Sequence, residues 1–577
     1  MRFHGSLVFG LGLIAQVLTA PAPVPVADPE ADATIQERAD KVTVAVPSGT
    51  VIGLSLSGIE SFKGIPFADP PTGSLRLKPP QRLSKALGTF DATDLLGPSC
   101  PQMFISTGGT SVITEFLSDF LAIPLLQVVT GQEDCLTISV QRPAGTKAGD
   151  ALPVMFWIFG GGFELGSPAM YDGSSLLNTG IDQDQPFIYV AVNYRVAGFG
   201  FMPGAEILAD GSANLGLLDQ RMGLEWVADN IASFGGDPDK VTIWGESAGA
   251  ISVLDQMVLY GGDANYKGKP LFRGAIMNSG SVVPAAPVDG PKGQEIYDAV
   301  VKSAGCTSAS DTLECLRGLD YEDFLDAANS VPGILSYNAL ALSYLPRPDG
   351  TALPDSPEVL IATGRYHAVP MINGNQEDEG TLFALFQPNL TTTARLVTYL
   401  KEFFFEDATT AELTSFVNTY STALSAGSPF RTGIFNEIFP GFKRRAAIFG
   451  DLVFTLTRRL FLQTATAVNP DVPVWSYLAS YDYGTPILGT LHGSDILQVL
   501  FGLVPNHAMR SIRTYYFNFL YNLDPNEGVS GYDTWPEWKD AKELMWFKSA
   551  NANDLLDDDF RTDSYNWIAN NVDVLHI

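Results

Sequence analysis

Histidine is scarce in this chain: 577 residues hold five, His4, His367, His492, His507 and His576. Any chemistry that needs an imidazole base therefore has few candidates. Cysteine is scarcer still, with four residues and no His/Cys cluster at metal-ligand spacing, so neither a metal nor an organic cofactor is implied. Positive charge is in deficit, 35 basic against 64 acidic residues for a net charge of -29, which repels polyphosphate and anionic membrane surfaces and argues against a nucleic-acid partner. Beyond the first twenty or so residues no apolar run is long and charge-free enough to anchor the chain in a bilayer, and residues 567–577 lack the hydrophobic tail of a lipid-anchor signal. No internal repeat, low-complexity block or long linker divides the chain after Lys41.

What is present begins with an export signature. Arg2 precedes an apolar stretch over residues 7–18 and then the small residues Thr19, Ala20 and Ala22, as in a secretory signal peptide placed at 1–20. Residues 21–41, rich in Pro, Asp, Glu and Ala, carry no packed pattern and read as a disordered leader or propeptide. One large catalytic domain is expected over 42–577, and 46% hydrophobic content is ample for its core. In an exported chain four cysteines suggest two disulfides out of three possible connectivities. Cys306 and Cys315 are close neighbours and most simply pair, which leaves Cys100 with Cys135. Asn389-Leu390-Thr391 is an N-glycosylation acceptor.

The chemistry concentrates at Gly245-Glu246-Ser247-Ala248-Gly249, directly after the apolar run 241–244 and before another opening at Ala250. A G-x-S-x-G pattern between strand and helix is the setting in which a serine becomes a nucleophile, its glycines leaving room where the two elements pack closely. A second apolar run, 153–159, ends in Gly160-Gly161-Gly162-Phe163. Glycines there let backbone amides face a ligand, so Gly161, Gly162 and the amide of Ala248 are candidate oxyanion donors. The base must follow the serine and an acid in chain order, which removes His4 and leaves His367 no room for an acid. His576 is penultimate, and His507 sits in a polar turn-like stretch. His492, in a glycine-bounded loop between the strand-like 474–478 and the helical 496–501, is the best candidate. An acid is expected after the buried run 369–374, where Glu377, Asp378 and Glu379 stand side by side; spacing alone does not choose among them.

Six further segments in register with the serine pattern carry a resemblance over nearly the whole chain: Gly64-Ile65-Pro66-Phe67-Ala68, Glu133-Asp134-Cys135-Leu136, residues 157–163, Val192-Asn193-Tyr194-Arg195, residues 214–220 and Phe234-Gly235-Gly236-Asp237-Pro238. The chain resembles the type-B carboxylesterase and lipase family, most closely its secreted fungal and yeast lipases. The resemblance implies an α/β-hydrolase fold with a large mixed central sheet flanked by helices. It also implies Glu379 as the acid, from Asp378-Glu379-Gly380-Thr381, with His492 as base, the same oxyanion donors and the same cysteine pairing. Glu377 and Asp378 are then expected to tolerate amide replacement. An acyl tunnel is implied at Ile251, Val283, Pro284, Phe383, Val453 and Phe454, with Val453 narrowing a place where some relatives carry glycine.

Between Cys100 and Cys135, Val112, Phe116 and Phe120 form one i, i+4 row and Ile113, Leu117 and Leu121 another, opposite Thr114, Glu115, Ser118 and Asp119. This amphipathic stripe predicts a helical lid within 100–135, closed in water and open at a lipid surface. The expected activity is that of a secreted serine lipase cleaving long-chain acylglycerols. A steryl esterase or non-lipolytic carboxylesterase would share the chemistry and differ in pocket shape, and a cholinesterase-like adhesion protein would be expected to lack the nucleophile. The expected partner is an ester at a lipid–water interface, bound by a monomer or weak dimer.

Overall fold

The computed structural model describes residues 39–104, 131–482, 484–528 and 531–577. Its frame is a sheet of thirteen strands, in spatial order β1 (Asp40–Val46), β2 (Gly49–Leu56), β3 (Ile59–Pro66), β5 (Thr137–Pro143), β7 (Ile188–Val192), β6 (Leu152–Ile158), β8 (Gly236–Glu246), β11 (Gly274–Asn278), β12 (Met371–Gln376), β13 (Val474–Ala479), β14 (Glu543–Ser549) and β15 (Ala552–Asp557). β4 (Gly88–Asp91) pairs beside β2, and β9 (Asn265–Tyr266) with β10 (Lys269–Pro270) forms a separate hairpin. From β7 to β14 all neighbours are parallel, while both flanks are antiparallel except for the parallel pairing of β4 with β2. β1 takes in Asp40 and Lys41, the last residues of the stretch read as leader.

Composition follows position in the sheet. β7, IYVAV, and β11, GAIMN, are buried at every residue, as parallel strands covered on both faces require. The edge strand β15, ANDLLD, is largely exposed and carries Asp554 and Asp557, charges that discourage edge-to-edge pairing. The helix Ala248–Gly262 is buried from Ala248 through Leu259, which explains why its sequence is apolar nearly all round. It lies against β8 and β11.

Several of the sequence landmarks are halves of buried ion pairs. Arg195, after β7, binds Asp219 of the Leu215–Asn230 helix with Nη2 to Oδ1 at 2.7 Å and Nε to Oδ2 at 2.8 Å. Arg76 grips Glu133 through Nε and Nη2. The disulfides join Cys100 to Cys135 and Cys306 to Cys315; on a loop-entropy basis the first contributes about 3–4 kcal/mol. Asn389 is exposed, its amide donating to Tyr337 Oη at 2.9 Å.

One cluster ties together the strands that lead into the site. Arg458 of the helix Leu456–Val468 donates to Asp558 just past β15, at 2.7 and 2.9 Å, and to Asn375 Oδ1 of β12 at 2.7 Å and Ser476 Oγ of β13 at 2.8 Å. Arg459 and the Trp538 indole also donate to Asp558. Burial opposes ionisation of Asp558, but the two guanidinium groups outweigh it and hold the carboxyl down at about 2. Asp558→Ala strands two buried cations and is expected to lower unfolding stability by about 3–5 kcal/mol, read as a reduced urea midpoint. Because the folded value is depressed, the stabilisation from Asp558 is complete above the ordinary aspartate range and is lost as pH falls through about 2.

Candidate active site

Ser247 occupies the turn between β8 and the Ala248–Gly262 helix with φ 57° and ψ -127°, a strained conformation for a residue with a Cβ. Its amide donates to Asn278 O of β11 at 2.9 Å. The glycines around it are set by contact: a Cβ on Gly249 would sit 2.1 Å from Ile158 O, and one on Gly245 would sit 2.3 Å from Gly249 O. A Cβ on Gly160 would come within 2.8 Å of Ser247 Cβ. The 160–162 loop at the end of β6 and the serine turn are thus in direct contact. Gly161 and Gly162 have φ of 112° and 64°, open only to glycine at low cost.

His492 and Glu379 meet the serine from two other strands. Glu379 follows β12 and His492 lies in the loop after β13. Ser247 Oγ lies 2.8 Å from His492 Nε2, and His492 Nδ1 lies 2.6 Å from Glu379 Oε2. An ionised carboxylate only accepts, so Nδ1 carries the proton and Nε2 accepts from the serine hydroxyl. The other oxygen of Glu379 accepts from Gln376 N at 2.7 Å. Phe383 and Phe454 pack on the imidazole with centroids 5.2 and 4.6 Å away. The other described histidines lie elsewhere: His367 on Phe272 O, His507 against Tyr532 and His576 on Glu358. His4 is outside the described residues.

Among the three adjacent acids, Glu377 pairs with Arg431 toward the surface, whereas Asp378 is buried. Asp378 Oδ1 accepts from Ser428 Oγ at 2.7 Å and Phe430 N at 2.9 Å, and its Oδ2 accepts from Thr490 N at 3.0 Å, two residues before the histidine. Burial, reinforced by the Glu377 charge, pushes Asp378 up to about 7 against those donors. Thr381 Oγ1 lies 2.8 Å from Leu488 O, and a Cβ on Gly380 would lie 1.9 Å from Ala446 O. The Asp-Glu-Gly-Thr run is therefore a clasp on the histidine loop, and the partners of Asp378 weigh against the expectation that it tolerates an amide: an Asn that keeps its oxygen on Ser428 and Phe430 turns an N–H toward the Thr490 N–H.

Sequence reading missed Glu246 and Asp495. Glu246 Oε1 lies 3.4 Å from His492 Nε2, and burial, with Asp495 and Glu379 adding to it, lifts Glu246 to about 8 despite His492. Asp495 accepts from Asn278 Nδ2 at 2.7 Å, and Asn278 Oδ1 accepts from Tyr516 Oη at 2.9 Å and Trp244 Nε1 at 3.2 Å. The only sequence signal for either was an acid near an already suspected residue, one before Ser247 and three after His492. Burial alone would lower His492, but the carboxylates of Glu379 and Glu246 outweigh it and raise the imidazole above its ordinary range.

An apolar cavity opens at Ser247, lined in part by Gly162, Ala248, Ile251, Val283, Val453 and Phe454. Pro284 and Phe383, also expected in an acyl tunnel, are not in this lining. Pro284 O accepts from Ile577 N, and Phe383 stacks on Phe454 and meets His492 edge-on. The lid positions Val112, Ile113, Phe116, Leu117, Phe120 and Leu121 lie outside the described residues. Before them in the chain, Met103 N donates to Glu164 O at 2.8 Å, just past the Gly160–162 loop. Among the described residues no cluster of three His, Cys, Asp or Glu could hold a metal, and no helix is long and apolar enough to cross a membrane.

Parallel strands β8, β12 and β13 deliver serine, acid and histidine in that chain order to one edge of a mixed sheet, which makes this an α/β-hydrolase. Comparison with known proteins narrows the class. Residues 40–567 match the Carboxylesterase family, and the chain belongs to it. A secreted triacylglycerol lipase of Gibberella zeae is 73% identical over 586 aligned positions covering 100% of both chains. Lipase 5 of Diutina rugosa is 44% identical, covering 97% of this chain and 98% of its own. The crystal structure of Aspergillus niger EstA superposes with a TM-score of 0.75 at 25% identity, over 92% of this chain and 99% of that one.

The site makes two expectations. With His492 read as the base it must be neutral to act, so kcat/KM for an ester should rise with pH, and Glu246→Gln should shift that rise to lower pH by removing a carboxylate that favours imidazolium; an unmoved profile contradicts this coupling. Asp378→Asn should lower kcat/KM by about tenfold to a hundredfold through a displaced His492, while Glu377→Gln, which loses its ion pair with Arg431 and its charge beside Asp378 but no contact to the histidine loop, should stay close to the parent enzyme in the same assay.

Proposed function

We propose that the protein is a secreted lipase that hydrolyses triacylglycerols through an acyl-enzyme on Ser247. The observation that carries this reading is the unbroken hydrogen-bonded series Ser247, His492, Glu379 at the mouth of an apolar cavity. Full-length identity of 73% to a secreted triacylglycerol lipase supports the substrate class and export. In this mechanism His492 takes the Ser247 proton as the oxygen attacks the ester carbonyl, and Glu379 holds the imidazolium. The amides of Gly161, Gly162 and Ala248 receive the oxyanion. His492 then protonates the leaving alcohol, and water activated by the same imidazole releases the fatty acid. No step calls for a metal or an organic cofactor.

The acyl chain is assigned to the cavity along Ile251, Val283, Val453 and Phe454, where each buried methylene contributes about 0.8 kcal/mol. Residues 1–20 are assigned to export and the stretch from 21 up to β1 at Asp40 to a leader ahead of the catalytic domain. A lid is assigned within 100–135, a reading supported by the Met103 amide, which donates to Glu164 O just past the loop that carries Gly161 and Gly162. Its apolar stripe favours closure in water, since each large side chain is worth about 1.5–3 kcal/mol when buried, and a lipid surface removes that penalty.

Ser247→Ala should leave a folded, secreted protein with ester hydrolysis reduced by several orders of magnitude. The parent should turn over emulsified triglyceride faster than the same ester below its solubility limit, by more than saturation accounts for. Phe116→Ser with Phe120→Ser should weaken that gain and spare a small soluble ester. Cholesteryl ester preferred over triglyceride would move the assignment to a steryl esterase, and a parent without an interfacial response would make it a plain carboxylesterase.

A further inference from the structure

Ser247, Ile251 and Asp255 stand one turn apart on the Ala248–Gly262 helix and its leading residue, and all three line the apolar cavity. Four-residue spacing keeps them on one face, and eight residues of helix carry Asp255 about 12 Å along the axis from the serine. Apart from Ser247, Asp255 is the one polar side chain of that lining among the described residues; Ile334, Leu340, Leu342 and Leu345 are typical of the rest. Asp255 is 1% exposed, and neither carboxyl oxygen has a hydrogen-bond partner among the described residues. Buried polar groups are ordinarily paired, so an unpaired carboxyl facing an otherwise apolar cavity calls for a ligand group.

We propose that Asp255 makes the inner end of this cavity selective for an acyl chain that carries a hydroxyl group, so that hydroxy-fatty-acyl esters are favoured over unsubstituted esters of the same length. The proposal rests on the reading of the cavity as the acyl site. Burial alone pushes Asp255 up to about 8, so at neutral pH it is an uncharged acid with one donor and one acceptor. An alcohol presents the same pair in return and satisfies both. A methylene at that depth satisfies neither, and an ionic group would find no counter-charge, because no charged neighbour acts on Asp255. A polar site of this kind discriminates more sharply than an apolar one, since the analogue without the hydroxyl leaves a buried group unpaired.

The test uses the full-length enzyme and p-nitrophenyl esters of dodecanoic acid and of its monohydroxy isomers, with the hydroxyl moved stepwise from the carbonyl to the chain end. In the parent, kcat/KM relative to plain dodecanoate should peak at one narrow range of hydroxyl positions, about tenfold above the others. Asp255→Asn, which retains a donor and an acceptor, should keep the peak. Asp255→Leu should abolish it, every hydroxy ester then falling at or below plain dodecanoate in kcat/KM measured on the same variant. A flat profile in the parent overturns the proposal even if the Leu variant fails to fold, and a peak that survives Asp255→Leu overturns it as well. Absence of turnover of plain dodecanoate by the parent would instead count against the ester-hydrolase reading, so the two failures are distinct.

Discussion

Everything at the site depends on one close contact, between the serine turn and the glycine loop of the neighbouring strand. Ser247 is held at φ 57° and ψ -127°, a conformation that costs of order 1–3 kcal/mol and persists only where its surroundings over-determine it. Here β8 and β6 run side by side, and at their ends Gly160, Gly245 and Gly249 leave no room for a single added carbon. The amide of Ser247 is fixed on Asn278, whose side chain is in turn held by Asp495, Tyr516 and Trp244. The serine turn and the candidate oxyanion loop are consequently held against each other, and neither can shift without the other.

The histidine is positioned differently. It lies on a long loop after β13, and its location depends on tethers from the next strand over: Asp378 to the Thr490 amide, Thr381 to the Leu488 carbonyl and Glu379 to the ring itself. Beneath them Arg458 joins β12, β13 and Asp558, so the two strands that carry the acid and the histidine loop cannot shift independently. Buried charge thus serves geometry here more than net stability, since desolvation consumes much of the Coulombic gain of such pairs.

Around the imidazole the protein gathers more carboxyl groups than a serine–histidine–acid chain requires. Glu379, Glu246 and Asp495 all bear on His492 and make the imidazole more basic than usual, while burial pushes Glu246 itself up to about 8. A few ångströms away the environment turns apolar along the Ala248–Gly262 helix, with Asp255 as the exception. Polar chemistry at one end and alkyl burial along the wall are presented by the same helix, one turn after another.

Local pattern was enough for the elements and several of the candidates. The G-x-S-x-G turn between apolar runs, the glycine tract after 153–159 and the short Cys306–Cys315 spacing are all written within a few residues, because strand, turn and helix preferences act over that range. Chain order and the rarity of histidine singled out His492. What local pattern left open was which of three consecutive acids faces it, since that contact spans 113 residues, and the serine–histidine contact spans 245. The roles of Asp378 as a tether, of Glu246 as a neighbour of the imidazole and of Asp255 as an unpaired carboxyl in the cavity depend on burial and on partners brought in by distant strands. Sequence determined which side chains were available; the packing of the sheet and its helices decided which of them lost water and what they met when they did.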